Sequence, residues 1–228
     1  MRKNQVTLMW PTYIGEFYNP KHNEIKKDLL NFFENYKKNN ENSRKGGTVH
    51  SPDDGIEKEN YKIDQDLYMS KYDLHSEKNK TYQDLMSFIS QGFIEMASKA
   101  NETERKDLKF NKENLKVVIN DSWFIDYKKG GFVLPHTHPR CSWNCVYYVQ
   151  VGDDANPTNG STFFQKSRPE NHTNDFGSKY NEQTMLKLKP AEGKLVIWPQ
   201  YVSHGSMPYE GGQNRIIVSA NAVIKNPQ

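Results

Sequence analysis

The sequence predicts a mainly β protein with helices in its first half, an α+β fold class. Before about residue 115, apolar residues recur at helical spacing in two stretches. After that point they alternate along short segments separated by Gly, Pro and Asn. We therefore interpret 1–228 as a single domain, with a helical and loop part at 1–114 that packs on a β-core at 115–228.

The N-terminal stretch combines a strand with a helix. Residues Gln5–Tyr18 are rich in β-branched and aromatic types and contain Pro11, a pattern typical of an edge strand. Asn19 is predicted to cap the helix that follows, with Pro20 in its first turn. That helix has one apolar face, made of Ile25, Leu29, Phe32, Phe33 and Tyr36.

A second amphipathic helix is predicted from about Thr81 to Ala100, and we expect both helices to pack against a sheet. Between the helices, Ser43–Leu74 has Gly and Pro turns and few apolar anchors, which predicts a long loop. The apolar stripe of the second helix is Tyr82, Leu85, Met86, Ile89, Phe93 and Met96.

The second half predicts short strands in an antiparallel sandwich or barrel. A polar segment, Asp153–Gln183, is interpreted as an insertion among them. The strand candidates are Leu115–Ile119, Ser122–Tyr127, Phe132–Leu134, Cys145–Val151, Ser161–Phe164, Met185–Leu188, Lys194–Trp198 and Arg215–Ile224.

Charge and hydropathy exclude two classes of partner. The 31 basic and 28 acidic residues leave a net charge of +3 without a basic stripe, so we expect no nucleic-acid partner. No apolar run is long enough for a signal peptide or a membrane span. We expect no membrane association and a cytoplasmic location, in the host cytoplasm if the protein is viral.

The two cysteines, Cys141 and Cys145, are predicted to be free thiols. On one extended strand they lie too far apart for a disulfide. A zinc site that combined them with His136 and His138 would match no structural zinc spacing.

Three histidines form the candidate metal site. His136 and His138 are two residues apart, so on a strand both side chains project from the same face. His204 follows a buried-strand pattern, GKLVIWP, and Arg215 opens the last apolar strand eleven residues later. Imidazole is the commonest protein ligand for metals, so this set indicates a divalent-metal site with a cation nearby for an acidic co-ligand.

The order of these motifs resembles the double-stranded β-helix (jelly-roll) oxygenases that use Fe(II) and 2-oxoglutarate. More narrowly, the segments HTHPRCSWNCVYYV, GKLVIWPQYVSHGSMP and RIIVSANAV resemble an oxygenase family related to prolyl 4-hydroxylases and found in marine bacteria and phages. The resemblance covers Trp123–Val223 and extends loosely to the helical half. It implies a jelly-roll core with supporting N-terminal helices.

The resemblance also implies a role for each site residue. His136 and His204 would ligate Fe(II), with His138 as a third ligand or beside the site. Arg215 would pair with the distal carboxylate of 2-oxoglutarate, and Tyr127 or Tyr148 would add a hydrogen bond to it. Oxygen and 2-oxoglutarate would be consumed to hydroxylate a substrate C–H bond, with succinate as co-product.

Two positions depart from the family pattern. The usual metal triad is two histidines and one carboxylate, whereas the carboxylate position here is His138. A third neutral ligand leaves the site one unit more positive and should weaken retention of Fe(II). Ile217 replaces a small hydroxyl residue, and Ser219, on the same strand face, can supply that hydroxyl if the pocket extends so far.

Two other functions remain open at this stage. A cupin-like metalloenzyme suits three histidines and the spacing from Gly130 to His136, but it lacks the expected glutamate and leaves Arg215 unused. A non-catalytic β-sandwich binding module would use none of the histidines.

The substrate is predicted to be a peptide, protein or small molecule, with peptidyl proline as the specific expectation. Ser43–Leu74 and Asp153–Gln183 can cover an open groove that would admit a peptide. Phe163, Phe164 and Trp198 are candidates for lining the pocket, although aromatic residues more often belong to the core.

Overall fold

The computed structural model describes residues 11–43, 66–105, 107, 111–152, 154–166, 176–181 and 183–226. In these residues two antiparallel sheets pack face to face. The six-stranded sheet has the order β1-β8-β5-β10-β3-β2 and the four-stranded sheet the order β4-β9-β6-β7. The strands are β1 Gly15–Tyr18, β2 Leu67–Met69, β3 Lys116–Tyr127, β4 Val133–His136, β5 Trp143–Gln150, β6 Thr162–Gln165, β7 Met185–Leu188, β8 Lys194–Pro199, β9 His204–Ser206 and β10 Arg215–Lys225.

The winding of the chain is that of a double-stranded β-helix. From β3 to β6 successive strands alternate between the larger and the smaller sheet, β6 and β7 pair as neighbours, and the alternation resumes from β8 to β10. The predicted jelly-roll core is therefore confirmed, as an open sandwich and not a closed barrel. This winding brings β4 and β9, which are far apart in sequence, side by side.

Alternation along the strands divides the core into two layers. On β5, Cys145 and Tyr147 face the helices, while Val146 and Tyr148 face the smaller sheet. The side chains that lie between the two sheets, which also include Ile217 of β10, are here called the inter-sheet cavity wall. Side chains of this second layer surround the candidate site.

Two helices cover the outer face of the larger sheet: α1 His22–Asn39 and α2 Lys80–Glu104. Phe33 of α1 stacks on Phe124 of β3, with ring centroids 4.4 Å apart. The predicted cap at Asn19 is wrong, because α1 begins at His22 and the Asn19 side chain instead accepts a hydrogen bond from the Lys21 N–H. Short 3-10 helices lie at Leu74–Ser76, Lys112–Asn114 and Phe176–Asn181.

Ion pairs fix α1 to the sheet. The Lys37 ammonium lies 2.5 Å from the buried Asp126 carboxylate of β3. The Lys26 ammonium lies 2.7 Å from Glu192, in the turn before β8. Partial burial is the largest single influence and opposes ionisation of Glu192, but the hydrogen bonds from Lys26 and the Val151 N–H, together with the charge of Lys26, hold the Glu192 pKa below its ordinary value.

Several predicted strand boundaries need correction. The two strands expected at Leu115–Ile119 and Ser122–Tyr127 are one strand, β3, with a register shift between Ile119 and Asp121. β9 and β2 were not predicted, and β2 lies in the stretch expected to be a loop. Residues 44–65 of that loop, residues 5–10 of the first predicted strand, and residues 153, 167–175 and 182 of the polar insertion lie outside the described residues.

The cysteines are free, as predicted: Cys145 is buried and Cys141 half-buried. Cys141 lies beside Asn144, and burial raises the pKa of its thiol to about 11. Within the described ranges, no helix is long and apolar enough to cross a membrane.

Candidate metal centre and co-substrate pocket

Three histidines converge where β4 meets β9. His136 ends β4 and pairs directly with His204 of β9, and His138 follows His136 by two residues. One ring nitrogen from each of the three lies within 4.8 Å of the other two. The Nε2 atoms of His138 and His204 are 3.2 Å apart. A metal with bonds of about 2.1 Å to imidazole holds neighbouring ligand atoms about 3 Å apart, so this spacing suits a single ion.

Backbone carbonyls orient two of the imidazoles. The Nδ1 atom of His136 is 2.8 Å from the Leu134 carbonyl, and that of His204 is 2.9 Å from the Val202 carbonyl. Donation by each Nδ1–H leaves the Nε2 lone pair for a metal. The indole nitrogen of Trp198 also lies 3.2 Å from His204 Nδ1, but that nitrogen cannot donate and accept at once. We assign the proton to Nδ1 because the carbonyl contact is shorter.

Two tryptophans enclose the cluster. The Trp123 ring stacks on His138 at a centroid distance of 5.7 Å, and the Trp198 ring lies 4.6 Å from His204. Burial and the two neighbouring imidazoles place the pKa of His204 well below its ordinary value. His204 therefore stays neutral, which is the form that binds metal.

The ligand set contains no carboxylate among the residues that the structure describes. His138 supplies an imidazole at the position where the sequence resemblance implied a carboxylate. Three imidazoles still suit divalent first-row metals, so the residues present fit an Fe(II) ion, held by neutral donors alone.

A buried arginine lies at one end of the inter-sheet cavity wall. Arg215 is 1% exposed, and its Nε, Nη1 and Nη2 atoms have no hydrogen-bond partner among the described residues. Its guanidinium carbon lies 4.4 Å from the ring centroid of Tyr127 and 5.5 Å from that of Tyr148. A fully desolvated cation without an acceptor is costly, so this side chain is suited to receive an anion.

The space around Arg215 depends on a glycine. Gly160 has φ +64°, and a Cβ atom at this position would lie 3.0 Å from Arg215 Cδ and 2.8 Å from Tyr209 Cδ2. Both the backbone conformation and the contacts therefore exclude a larger residue.

The other predicted co-substrate residues lie on the same wall. Tyr127 pairs with Arg215, and Tyr148 pairs with Ile217 and donates a hydrogen bond of 2.7 Å to Thr162 Oγ1. Ser219 pairs with Trp123, so it lies level with the ring that stacks on His138. From Arg215 to Ser219 the strand rises about 13 Å. An arginine side chain and a bound five-carbon dicarboxylate can together span this distance.

Sequence reasoning missed several residues that shape the pocket, among them Trp123, Thr162 and Gly160. Strand alternation places Trp123 on the same face of β3 as Tyr127, so its position on the inner face could have been predicted. Nothing in the sequence indicated that the His138 ring would stack on it. Of the predicted lining residues, Phe164 pairs with His204 and belongs to the inter-sheet layer, as does Trp198. Phe163 points away from that layer, toward Gly205 on its neighbouring strand.

Residues 121–221 match a family model described as "Putative 2OG-Fe(II) oxygenase". The matched segment contains the three histidines and Arg215. Comparison with curated proteins finds no match.

Solved structures with the same fold include two prolyl hydroxylases and a protein that binds nickel and 2-oxoglutarate. The viral collagen prolyl hydroxylase of Paramecium Bursaria Chlorella virus-1, in complex with 2-oxoglutarate, has 10% identity and a TM-score of 0.52 over 92% of this chain and 95% of its own. A Trichoplax adhaerens prolyl hydroxylase in complex with a hypoxia inducible factor peptide has 10% identity and a TM-score of 0.55 over 92% and 82%. HygX from Streptomyces hygroscopicus, with nickel, 2-oxoglutarate and hygromycin B bound, has 9% identity and a TM-score of 0.53 over 92% and 82%.

Proposed function

We propose that this chain is a 2OG-Fe(II) oxygenase, the family whose model matches residues 121–221, and that it hydroxylates a C–H bond of a peptidyl proline. The observation that carries the oxygenase assignment is the pairing of a three-histidine cluster with a buried, unpartnered arginine on one cavity wall. A cupin-like site or a binding module would have no use for that arginine. The prolyl substrate is proposed by analogy with the two similar structures that are prolyl hydroxylases.

The roles of the metal-site residues follow from their geometry. His136, His138 and His204 would hold Fe(II) through Nε2, with the two carbonyl-bonded rings kept in the required tautomer. Bound iron and 2-oxoglutarate supply the activation of oxygen that drives hydroxylation. Trp123 and Trp198 exclude water from one side of the cluster, because their rings lie against His138 and His204.

The co-substrate would lie between the metal and Arg215. Its distal carboxylate would accept hydrogen bonds from the guanidinium, a charge-assisted contact that Arg can make with two donors. Tyr148 would give an additional hydrogen bond by turning its hydroxyl proton from Thr162 Oγ1 to the carboxylate, with the Thr162 hydroxyl then donating to the tyrosine oxygen. Tyr127 would act mainly through its ring, which is the nearer of the two to the guanidinium carbon.

A groove beside the metal cluster offers room for a peptide. It has a volume of about 350 Å³ and is lined by apolar side chains such as Ile14 and Met185, by amide and hydroxyl side chains such as Gln165 and Thr184, and by Lys166. Phe164 lines the same groove, and its ring centroid lies 6.4 Å from that of His204. A chain that entered along this groove would come within reach of the histidines.

The test is succinate formation from 2-oxoglutarate by the iron-loaded protein, with and without proline-rich peptides. We expect peptide-dependent succinate and a peptide mass gain of one oxygen. His204→Ala should abolish both, whereas His75→Ala, a change outside the cluster, should preserve them. Succinate formation that no peptide stimulates, in a protein with intact metal binding, would refute the prolyl assignment and leave the oxygenase chemistry standing.

A further inference from the structure

Two buried asparagines near the metal cluster have incomplete hydrogen bonding. Asn144 of β5 and Asn221 of β10 pair directly across neighbouring strands and are 1% and 5% exposed. Among the described residues, neither Asn144 Nδ2 nor Asn221 Oδ1 has a hydrogen-bond partner. Each unsatisfied buried group costs about 1–3 kcal/mol, so the pair calls for a functional explanation.

Neighbouring side chains fix the orientation of both amides. Asn221 Nδ2 donates to the Asp121 carboxylate at 3.0 Å, so its Oδ1 is the free acceptor. The Cys141 thiol donates to Asn144 Oδ1 at 2.9 Å, so its Nδ2 is the free donor. A flip of the Asn221 amide would place its oxygen against the Asp121 carboxylate. The wall therefore presents one donor and one acceptor side by side.

The position of the pair separates it from the co-substrate. Asn144 pairs with Trp198, the ring next to His204, and Asn221 lies two residues beyond Ser219, away from Arg215. Both asparagines occupy the inward-facing register that Val146 and Tyr148 share. From Arg215 to Asn221 the strand rises about 20 Å, so a dicarboxylate held by Arg215 ends before it reaches them.

We propose that Asn144 and Asn221 recognise a C=O and an N–H that the primary substrate presents on one side, with Asn144 Nδ2–H donating to the C=O and Asn221 Oδ1 accepting from the N–H. This proposal rests on the proposed function, since it concerns the substrate of the same site. A carboxylate or an ester has no proton for Asn221, and an ammonium has no acceptor for Asn144. In a peptide, the N–H and C=O of one extended residue point to the same side, and that residue is not proline because proline has no N–H.

The direct test uses small probes on the protein loaded with Zn(II) and an unreactive 2-oxoglutarate analogue. Acetamide carries a donor N–H and an acceptor C=O on the same side, whereas methyl acetate carries only acceptors. We expect acetamide to shift the side-chain NH₂ resonances of both asparagines saturably, and methyl acetate to bind at least several-fold more weakly. Equal responses, or none, would overturn the proposal whether or not any peptide is a substrate.

Variants then connect the pair to turnover. Asn144→Asp removes the donor and Asn221→Leu removes the acceptor, and each should raise the KM of a glycine-containing proline-rich peptide about tenfold or more, equivalent to about 1.4 kcal/mol. The 2-oxoglutarate-induced thermal shift should persist in both variants, and the exposed Asn31→Asp serves as the matched control. Loss of that shift would mean that the pair binds the co-substrate, and a lowered Tm with unchanged peptide KM would mean a purely structural pair; either result overturns the proposal.

Two sources of the amide remain to be separated: the peptide backbone and a carboxamide side chain. A peptide in which an ester replaces the amide N–H next to the target proline should lose affinity for the wild type and lose little further for Asn221→Leu. A peptide in which Asn or Gln side chains are replaced by Leu should be affected instead if the recognised group is a carboxamide. If neither change reduces affinity for the wild type, the pair does not read a substrate amide.

Discussion

Replacing Arg215 by Met should stabilise the ligand-free protein and remove its response to 2-oxoglutarate. Arg215 is fully buried and none of its guanidinium nitrogens has a hydrogen-bond acceptor among the described residues. An uncompensated buried charge costs about 3–5 kcal/mol. Cation–π contact with Tyr127 and Tyr148 offsets about 2 kcal/mol of this cost. Methionine fills much of the same space without a charge, so the net gain is about 1–3 kcal/mol, by the same magnitudes.

Thermal unfolding converts this gain into a measurable shift. For a chain of this size 1 kcal/mol corresponds to about 2–4 °C, so the Tm of metal-loaded, 2-oxoglutarate-free Arg215→Met should rise by about 2–12 °C. The same substitution removes a buried charge-assisted pair with the ligand, at a cost of about 2–5 kcal/mol. The Kd for 2-oxoglutarate should therefore increase about 30- to 5,000-fold.

The stability advantage of Arg215→Met should shrink by at least about 1.8 kcal/mol when the ligand is added, and the order of stability reverses if the ligand-free gain is smaller than that. At about 100 times its Kd, 2-oxoglutarate stabilises the wild type by about 2.7 kcal/mol, whereas a 30-fold weaker variant gains at most about 0.9 kcal/mol. Differential scanning fluorimetry across a 2-oxoglutarate titration measures both effects, with the exposed Arg105→Met as control. A variant that is destabilised without ligand, yet keeps the full ligand-induced shift, would refute the reasoning and give Arg215 a structural role.

Three further changes test other parts of the site and its support. His138→Asp should bind Fe(II) about tenfold or more tightly, since an anionic ligand adds at least about 1.4 kcal/mol of binding free energy. Anaerobic titration against a chelator measures the affinity, and weaker binding would mean that His138 is needed as an imidazole. Gly160→Ala should lower the free energy of unfolding, measured with denaturant, by about 1–3 kcal/mol, and it should raise the KM for 2-oxoglutarate because the added methyl group contacts the Arg215 side chain. Gly212→Ala is the control and should change neither quantity, because a Cβ atom there would have nothing within 4 Å. The pKa of Glu192 is held below its ordinary value by Lys26, so this carboxylate contributes stability above about pH 4.5 that is lost as the pH falls through its lower folded pKa. Tm measured against pH should therefore fall less steeply below that point in Glu192→Gln, and parallel curves would contradict the assignment.

Much of the fold was predictable because its signals are local. Helical periodicity located α1 and α2, and alternation located the long strands β5 and β10. The three-residue strands β2 and β9 were missed because so short a segment has no period to detect, and their pairing partners lie far away in sequence. The same limitation applies to the cap at Asn19, where tertiary contacts with Tyr147 and the backbone near Gly193 compete with local capping.

The residues of the site could be predicted from the sequence, but the contacts around them could not. The spacing of His136 and His138 and the position of Arg215 could be interpreted from the sequence alone. The sequence could not show that the guanidinium lacks an acceptor among the described residues, because its surroundings include Tyr127 and Tyr148 on two other strands and Gly160 in a loop. Nor could it show that Asn144 and Asn221 face each other, since a one-residue change of register would turn one of them toward the helices.

The formal charge of the loaded site connects His138 with the polar groups beside it. Fe(II), 2-oxoglutarate, Arg215 and three neutral imidazoles sum to about +1, whereas a carboxylate triad would give about zero. Asp121 is an acidic group on the inward-facing register, and its carboxylate accepts a hydrogen bond from Asn221 Nδ2. If Asp121 supplies the missing negative charge, Asp121→Asn should weaken metal binding in the wild type and have less effect in a His138→Asp background. A double-mutant cycle on metal affinity should show a coupling of about 0.5–3 kcal/mol, and strict additivity would mean that the site tolerates its excess charge without help from Asp121.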